Sequence, residues 1–159
     1  MISESGFARA AAVVIPLQSA RITGQLAAGD ALDVKALGVL AGDTAGIILA
    51  LSSPGVLGPY WLVLLAFFVG SLFVSVAVVL PTRFNPGPPA ADDDIAAVIR
   101  AGELRAYELL FNGMSEAVRH NAGVLRTKRR TLLVAFTLAL EPILILLGIA
   151  ALALVHIPL

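Results

Sequence analysis

The sequence predicts an all-α membrane protein with three transmembrane helices, and three observations support this fold class. Hydrophobic residues make up 58% of the 159 residues and charged residues only 14%, whereas soluble domains are about a quarter charged. The mean hydropathy is +0.92. Three stretches also reach the length of about 20 mostly apolar residues that crosses a bilayer. This composition excludes an ordinary soluble enzyme, because so small a globule needs far more polar surface.

Each predicted span is bounded by a turn signal or by charge. The first span covers residues 34–51 and is followed by Ser-Ser-Pro-Gly, and the second covers residues 61–80 and ends at Pro81. Together they form a helical hairpin over residues 34–80. The third span begins directly after a basic run and takes up the C-terminal segment, residues 131–159.

Two further segments are predicted to form cytosolic helices. Residues 1–33 read as a helix, bent or broken at Pro16, that leads into the first span. Residues 81–130 begin with a linker that its prolines make stiff. Asp92-Asp93-Asp94 follows, and acidic residues in a first turn favour a helix start.

The rest of this middle segment, from Ile95 to Arg130, has a helical pattern. One stripe at helical spacing is mainly apolar and consists of Leu110, Met114, Ala117, Asn121 and Leu125. Asn112-Gly113 is a candidate break that would divide the segment into a hairpin of two helices.

The basic residues orient the spans. All eleven Lys and Arg side chains lie in residues 1–35 or 83–130, and neither the turn between the first two spans nor the tail after Val155 has one. The positive-inside rule therefore predicts a cytoplasmic N-terminus, cytoplasmic segments at residues 1–33 and 81–130, and an outside C-terminus. Because acidic and basic residues cancel to a formal net charge of +0, no nucleic-acid partner is expected.

A glycine stripe is the clearest packing signal. Gly38, Gly42 and Gly46 recur every fourth residue in the first span and share one helix face. Such small residues let a second backbone approach closely in lipid. The stripe predicts either self-association into a homo-oligomer or packing against another span of the same chain, and the spacing does not separate the two.

Asp43 and Glu141 are ionisable residues inside predicted spans. Counting from the span ends places them roughly 13 Å and 16 Å deep, near the middle of a hydrocarbon layer about 30 Å thick. Because no Lys or Arg in any span can pair with them, they must be protonated, share a proton or line a polar path. We expect them to line an ion or proton pathway; the alternative is a protonated carboxyl bonded to Thr44, Thr137 or a backbone carbonyl.

A basic run, Arg126-Thr127-Lys128-Arg129-Arg130, adjoins the third span. Its simplest interpretation is a topology signal that contacts anionic lipid. A more specific hypothesis joins this run to residues 119–121 of the same predicted helix to form an anion-binding face, because Arg and Lys bind phosphate well. The face consists of Arg119, His120, Asn121, Arg126 and Lys128.

Enzyme signatures are absent from the sequence. It has no HExxH, GxSxG, P-loop or dinucleotide-binding pattern and no cysteine. Consecutive acids on a helix do not converge on a metal, so Asp92-Asp93-Asp94 is interpreted as a solvated helix start. No catalytic residue, metal site or resident cofactor is predicted.

The layout resembles a known family of bacterial membrane effectors. Asp33-Val34-Lys35-Ala36 opens the first span, a second span follows closely, and a cytosolic helix carrying Asn121 and Lys128 leads into the third. Residues 114–128 carry most of the similarity in the second half. In these respects the chain resembles the Pycsar-type transmembrane effectors, which are grouped with SLATT-like membrane effectors of bacterial antiphage defence.

This resemblance implies a gated protein of the inner (plasma) membrane. A partner nucleotide cyclase would make a cyclic pyrimidine mononucleotide as a diffusible signal, the cytosolic part would sense it, and the spans would permeabilise the bilayer. One departure concerns residues 81–94, where a proline-rich linker and three aspartates replace the family's aromatic-glycine segment. Two alternatives remain: a non-gated interaction subunit that docks a larger membrane complex, and an oligomeric proton-coupled carrier that uses Asp43 and Glu141.

Overall fold

The computed structural model describes residues 4–52, 54–87 and 103–155, and every regular element in these ranges is helical. Helix α1 covers Glu4–Ser52 and the short helix α2 covers Pro54–Leu57. One 3₁₀ turn, Gly58–Tyr60, leads into α3, Trp61–Val79. Helix α4 covers Glu103–Val155. The predicted all-α fold class is confirmed for these residues.

Within the described residues, three helices are long and apolar enough to cross a membrane. The candidate spans lie within Ala12–Ser52, Gly58–Val79 and Arg105–Gly148. A span takes about 20 residues, whereas α1 has 49 and α4 has 53. Each long helix therefore has enough residues for one span and for a further segment outside the hydrocarbon.

The expected break of α4 into two helices is wrong, because the helix runs through Asn112-Gly113. Helix α1 runs through Pro16, so the expected break there is also wrong, whereas a bend at Pro16 stays a prediction. A tight turn between two helices at Gly113 would favour a positive φ at this glycine. Among the described residues, only Gly58 and Gly87 have a positive φ. A helical glycine costs about 1 kcal/mol relative to alanine, which the packing of the flanking turns outweighs.

The chain divides into two compact units, which we call the first unit and the span unit. The first unit comprises Met1–Asp30 and Thr82–Arg126, and the span unit comprises Ala31–Pro81 and Thr127–Leu159. Each long helix thus contributes to both units, and α3 belongs to the span unit alone.

Buried positions on α1 follow a seven-residue interval, and those on α4 do so from Asn121 onward. Along α1 they are Ile22, Gly29, Ala36, Asp43 and Ala50, and along α4 they are Asn121, Lys128, Ala135 and Pro142, with Ala117 also buried four residues before Asn121. On α3 the interval alternates between three and four, through Leu64, Phe68, Ser71, Ser75 and Val78. This periodicity is that of coiled-coil packing, and most of the buried side chains on the long helices are small or polar.

The segment after α3 packs against helices of the first unit. Phe84 covers Gly29, where an added Cβ would lie 2.7 Å from the ring, and Gly87 adopts a φ of +99° beside Ile22. The backbone N–H and C=O of Asn85 are both bonded to the side chain of Asn121, at 2.8 Å each. The first part of the predicted linker is therefore held in place, while residues 88–89 and Asp92-Asp93-Asp94 lie outside the described residues.

Candidate functional site

A buried polar junction joins the three helices of the span unit. Helix α1 places Asp43 at a central buried position, where its side chain is 0% exposed. The Oγ atom of Ser71 on α3 lies 2.7 Å from Asp43 Oδ2 and 2.9 Å from the carbonyl oxygen of Ala135 on α4. One hydroxyl thus bridges a carboxyl group of the first helix to the backbone of the last.

Hydrogen counting indicates the protonation state of this junction. A hydroxyl has one hydrogen to donate and a carbonyl has none. Both contacts of Ser71 are full hydrogen bonds only if the carboxyl of Asp43 carries a proton and supplies the second hydrogen. A neutral acid also fits a dry interior, where a carboxylate without a cation is costly. Asp43 Oδ1 has no partner in the described structure.

Glu141 does not join the junction. Its side chain is half-buried next to the buried Pro142, and within the described residues it makes no hydrogen bond or ion pair. The threonine partners of the alternative interpretation are not observed, because Thr44 donates to the carbonyl of Leu40 and Thr137 to that of Leu133. Whether Asp43 and Glu141 line one pathway stays a prediction.

The three glycines of the stripe have different surroundings. A Cβ at Gly46 would lie 2.6 Å from the ring of Phe68, so this glycine permits a close contact within the span unit. Gly38 and Gly42 have nothing within 4 Å of such a Cβ, and both border an open groove. Self-association through the stripe stays a prediction.

Members of the predicted anion-binding face occupy unlike environments. Asn121 is buried and clamps Asn85, as described above, and Lys128 is 4% exposed with its Nζ 2.6 Å from Oδ1 of Asp33. His120 Nε2 lies 3.0 Å from the carbonyl oxygen of Arg83. Arg119 and Arg126 are exposed. The polar atoms of Asn121 and Lys128 are thus bonded to Asn85 and Asp33, whereas the Arg119 residue is exposed.

Arg119 borders a polar notch in the first unit. The notch has a volume of about 330 Å³, and its wall includes Gln18 and Arg21 of α1 together with Phe111 and Asn112 of α4. Arg21 is exposed and the Phe111 side chain is 39% exposed. The notch therefore combines two cationic groups, an accessible aromatic ring and two carboxamides.

Gln18 provides an unused hydrogen-bonding atom at this notch. Its Nε2 donates to the hydroxyl of Ser115 at 3.0 Å, which fixes the side chain, while its Oε1 is buried without a hydrogen-bond partner in the described residues. A buried acceptor without a partner is costly in a folded protein.

Sequence reasoning identified Arg119 but missed the other notch residues. Phe111, Ser115 and Arg119 recur every fourth residue, so one face of α4 was readable as a unit. The contribution of Gln18 and Arg21 depends on how α1 packs against α4 some 95 residues later in the chain, which local periodicity does not encode.

One comparison with known proteins identifies the family. A family model described as the Pycsar effector protein domain matches residues 21–156 of the chain. No curated protein and no solved structure matches the chain. The matched range includes the first candidate span from residue 21 onward and the other two in full, the Asp43–Ser71 junction and every described residue of the notch except Gln18. The chain belongs to the Pycsar effector family and is a membrane effector of antiphage defence.

Proposed function

We propose that this effector is gated by a cyclic pyrimidine mononucleotide and permeabilises the inner membrane when the nucleotide binds. A nucleotide cyclase of the same defence system supplies the signal, so the two proteins communicate through a diffusible ligand. The observation that carries the proposal is the notch of the first unit, which offers groups suited to each part of such a nucleotide.

The chemistry of the notch supports nucleotide binding. Guanidinium groups form strong, often bidentate bonds to phosphate oxygens, and Arg21 with Arg119 supplies two of them. The exposed ring of Phe111 offers a stacking surface for a base, an interaction of about 1–3 kcal/mol. The volume of about 330 Å³ falls in the range of small-molecule sites, about 300–1,000 Å³.

The junction in the span unit supports a two-state membrane response. Interhelical hydrogen bonds in membranes contribute about 0.6–2 kcal/mol each, so the contacts of Ser71 with Asp43 and Ala135 hold the spans together weakly. A ligand that binds an open packing of the spans more tightly than the closed one, by a few kcal/mol, is enough to shift the equilibrium between the two packings. When the junction opens, Asp43 becomes hydrated and ionises, and its charge lines the aqueous path.

The proposed orientation follows the distribution of basic residues. The first unit faces the cytoplasm, where the nucleotide is made, and the C-terminus lies outside. Several copies form the path, since three spans per chain are too few to enclose a wide pore; the homo-oligomer belongs to the proposal.

Nucleotide binding is tested on the purified full chain in detergent by calorimetric titration with cyclic CMP and cyclic UMP. We expect binding to the unaltered chain and at least tenfold weaker binding to Arg119→Gln, because a charge-assisted contact contributes about 1.5–3 kcal/mol. Arg105→Gln is the matched control, since Arg105 is also exposed on α4 and does not border the notch. Equal weakening of nucleotide binding by both variants would show that the notch is not the nucleotide-binding site.

Gating is tested in cells by measuring membrane potential with and without a co-expressed cyclase that makes the nucleotide. We expect depolarisation only when both proteins are present. Depolarisation by the effector alone would contradict gating. The absence of depolarisation in either condition would contradict the whole proposal and favour the alternative function, a non-gated subunit that docks another membrane protein through the open glycine positions Gly38 and Gly42.

A further inference from the structure

The span unit contains a long groove that the proposed signalling function does not use. It lies between α1 and α4 and has a volume of about 620 Å³. Gly38 and Gly42 form part of one wall and Phe136 and Ile143 part of the other. Most of its lining is apolar, so its middle suits a hydrocarbon chain.

One end of the groove is basic. Lys35 of α1 and Arg129 of α4 border it there, and both side chains are exposed. Within the described residues neither one forms an ion pair, whereas the neighbouring Lys128 is held by Asp33. Two cationic groups therefore border the end of an apolar channel, and no acidic side chain of the described residues forms an ion pair with either of them.

The groove is at least as long as one leaflet of a bilayer. On α1 its lining runs from Leu32 to Asp43, eleven residues or about 16–17 Å at 1.5 Å per residue. On α4 its lining runs from Arg129 to Ile143, fourteen residues or about 21 Å. Half of a hydrocarbon core about 30 Å thick is about 15 Å. A chain that enters beside the cations thus reaches the bilayer centre at the level of Asp43.

We propose that this groove is a binding site for a phospholipid with an anionic headgroup. Its phosphate is bound by Lys35 and Arg129, and one acyl chain lies along Gly38, Gly42 and Phe136, where the glycines leave open space for it. Charge complementarity favours this occupant over a second copy of the chain. A parallel copy in the same membrane carries its own Lys35 and Arg129 at the same depth, which brings like charges together at this end. The proposal is independent of the nucleotide-gating proposal.

The test is lipid retention by the full chain. The protein is reconstituted in vesicles of equal parts phosphatidylglycerol and phosphatidylcholine, extracted in mild detergent, and analysed by native mass spectrometry. We expect the protein to retain phosphatidylglycerol in preference to phosphatidylcholine. Arg129→Gln should lower that retention about fivefold, the effect of losing about 1 kcal/mol per cation near the membrane. Arg130→Gln is the matched control, because Arg130 is also exposed and does not border the groove.

A second variant separates the groove from surface charge in general. In Gly42→Leu the new side chain extends into open space, so the helix stays intact while the groove is filled. We expect loss of retained lipid with an unchanged charge and an unchanged oligomeric state. Equal retention by Arg129→Gln and Arg130→Gln would overturn the proposal. A change of oligomeric state in Gly42→Leu with lipid retention intact would also overturn it and assign the groove to a second copy.

Discussion

The Oγ atom of Ser71 lies 2.7 Å from Oδ2 of Asp43, and both residues are 0% exposed. The same hydroxyl contacts the backbone of α4 at Ala135, so a single serine connects all three spans of this effector. Polar groups in a membrane interior must find partners within the protein. The junction therefore stabilises the closed packing through a small number of hydrogen bonds, each of which a single substitution can remove.

Replacing Ser71 should weaken the closed packing. In Ser71→Ala the carboxyl of Asp43 loses its hydrogen-bond partner while it stays buried, which costs about 1–3 kcal/mol. We expect a lower thermal unfolding midpoint in detergent, followed by circular dichroism, and in cells depolarisation at a lower level of cyclase expression.

The control for this substitution lies one turn along the same helix. Ser75 is also buried, but its hydroxyl has no hydrogen-bond partner in the described structure. Ser75→Ala removes an unsatisfied polar atom, so stability should be unchanged or slightly higher. If the two variants lower the unfolding midpoint equally, the junction does not stabilise the spans.

Removing the charges of both intramembrane acids separates packing from ion conduction. In Asp43→Asn the side-chain amide still donates to Ser71 Oγ, so the unfolding midpoint should change little. Combined with Glu141→Gln, it leaves the predicted spans without a carboxyl side chain, and we expect a smaller depolarisation when the cyclase signal is present. Membrane potential and ion flux measure this effect at matched expression. Unchanged flux in the double variant would show that neither carboxylate lines the path.

Sequence patterns were sufficient to predict the fold class and the three spans, because apolar length and turn residues are local properties. They also located Asp43, since an acid in an apolar run stands out by itself. Its partner Ser71 was not recognised, because a serine in a span has no distinctive pattern. The seven-residue recurrence of buried positions is present in the sequence. It was not recognised, because most of these positions hold small or polar residues and therefore produce no hydrophobic periodicity. The notch depends on contacts between distant segments, so only Arg119 was anticipated.

Asn121 should determine whether the segment after α3 stays attached to the first unit. In Asn121→Ala both hydrogen bonds to the backbone of Asn85 are lost, and at about 1 kcal/mol each this destabilises the attachment by about 2 kcal/mol. Hydrogen exchange of Phe84 and Asn85 amides should become faster, as measured by mass spectrometry. His120→Ala is the control, because His120 is exposed and makes a single contact to this segment. Equal exchange in the two variants would contradict a specific role for Asn121.

Two alanine substitutions in the glycine stripe should have opposite effects on stability. In Gly46→Ala the new Cβ would lie 2.6 Å from the ring of Phe68, and overpacking of this kind costs about 1–3 kcal/mol. In Gly38→Ala the Cβ meets nothing within 4 Å, so the helix propensity of alanine should raise stability by up to about 1 kcal/mol. Thermal unfolding in detergent compares the two variants, and chemical crosslinking in membranes reports their oligomeric state. A loss of crosslinked oligomer in Gly38→Ala alone would assign that glycine to contacts between copies, whereas equal destabilisation of both variants would contradict the different surroundings of the two glycines.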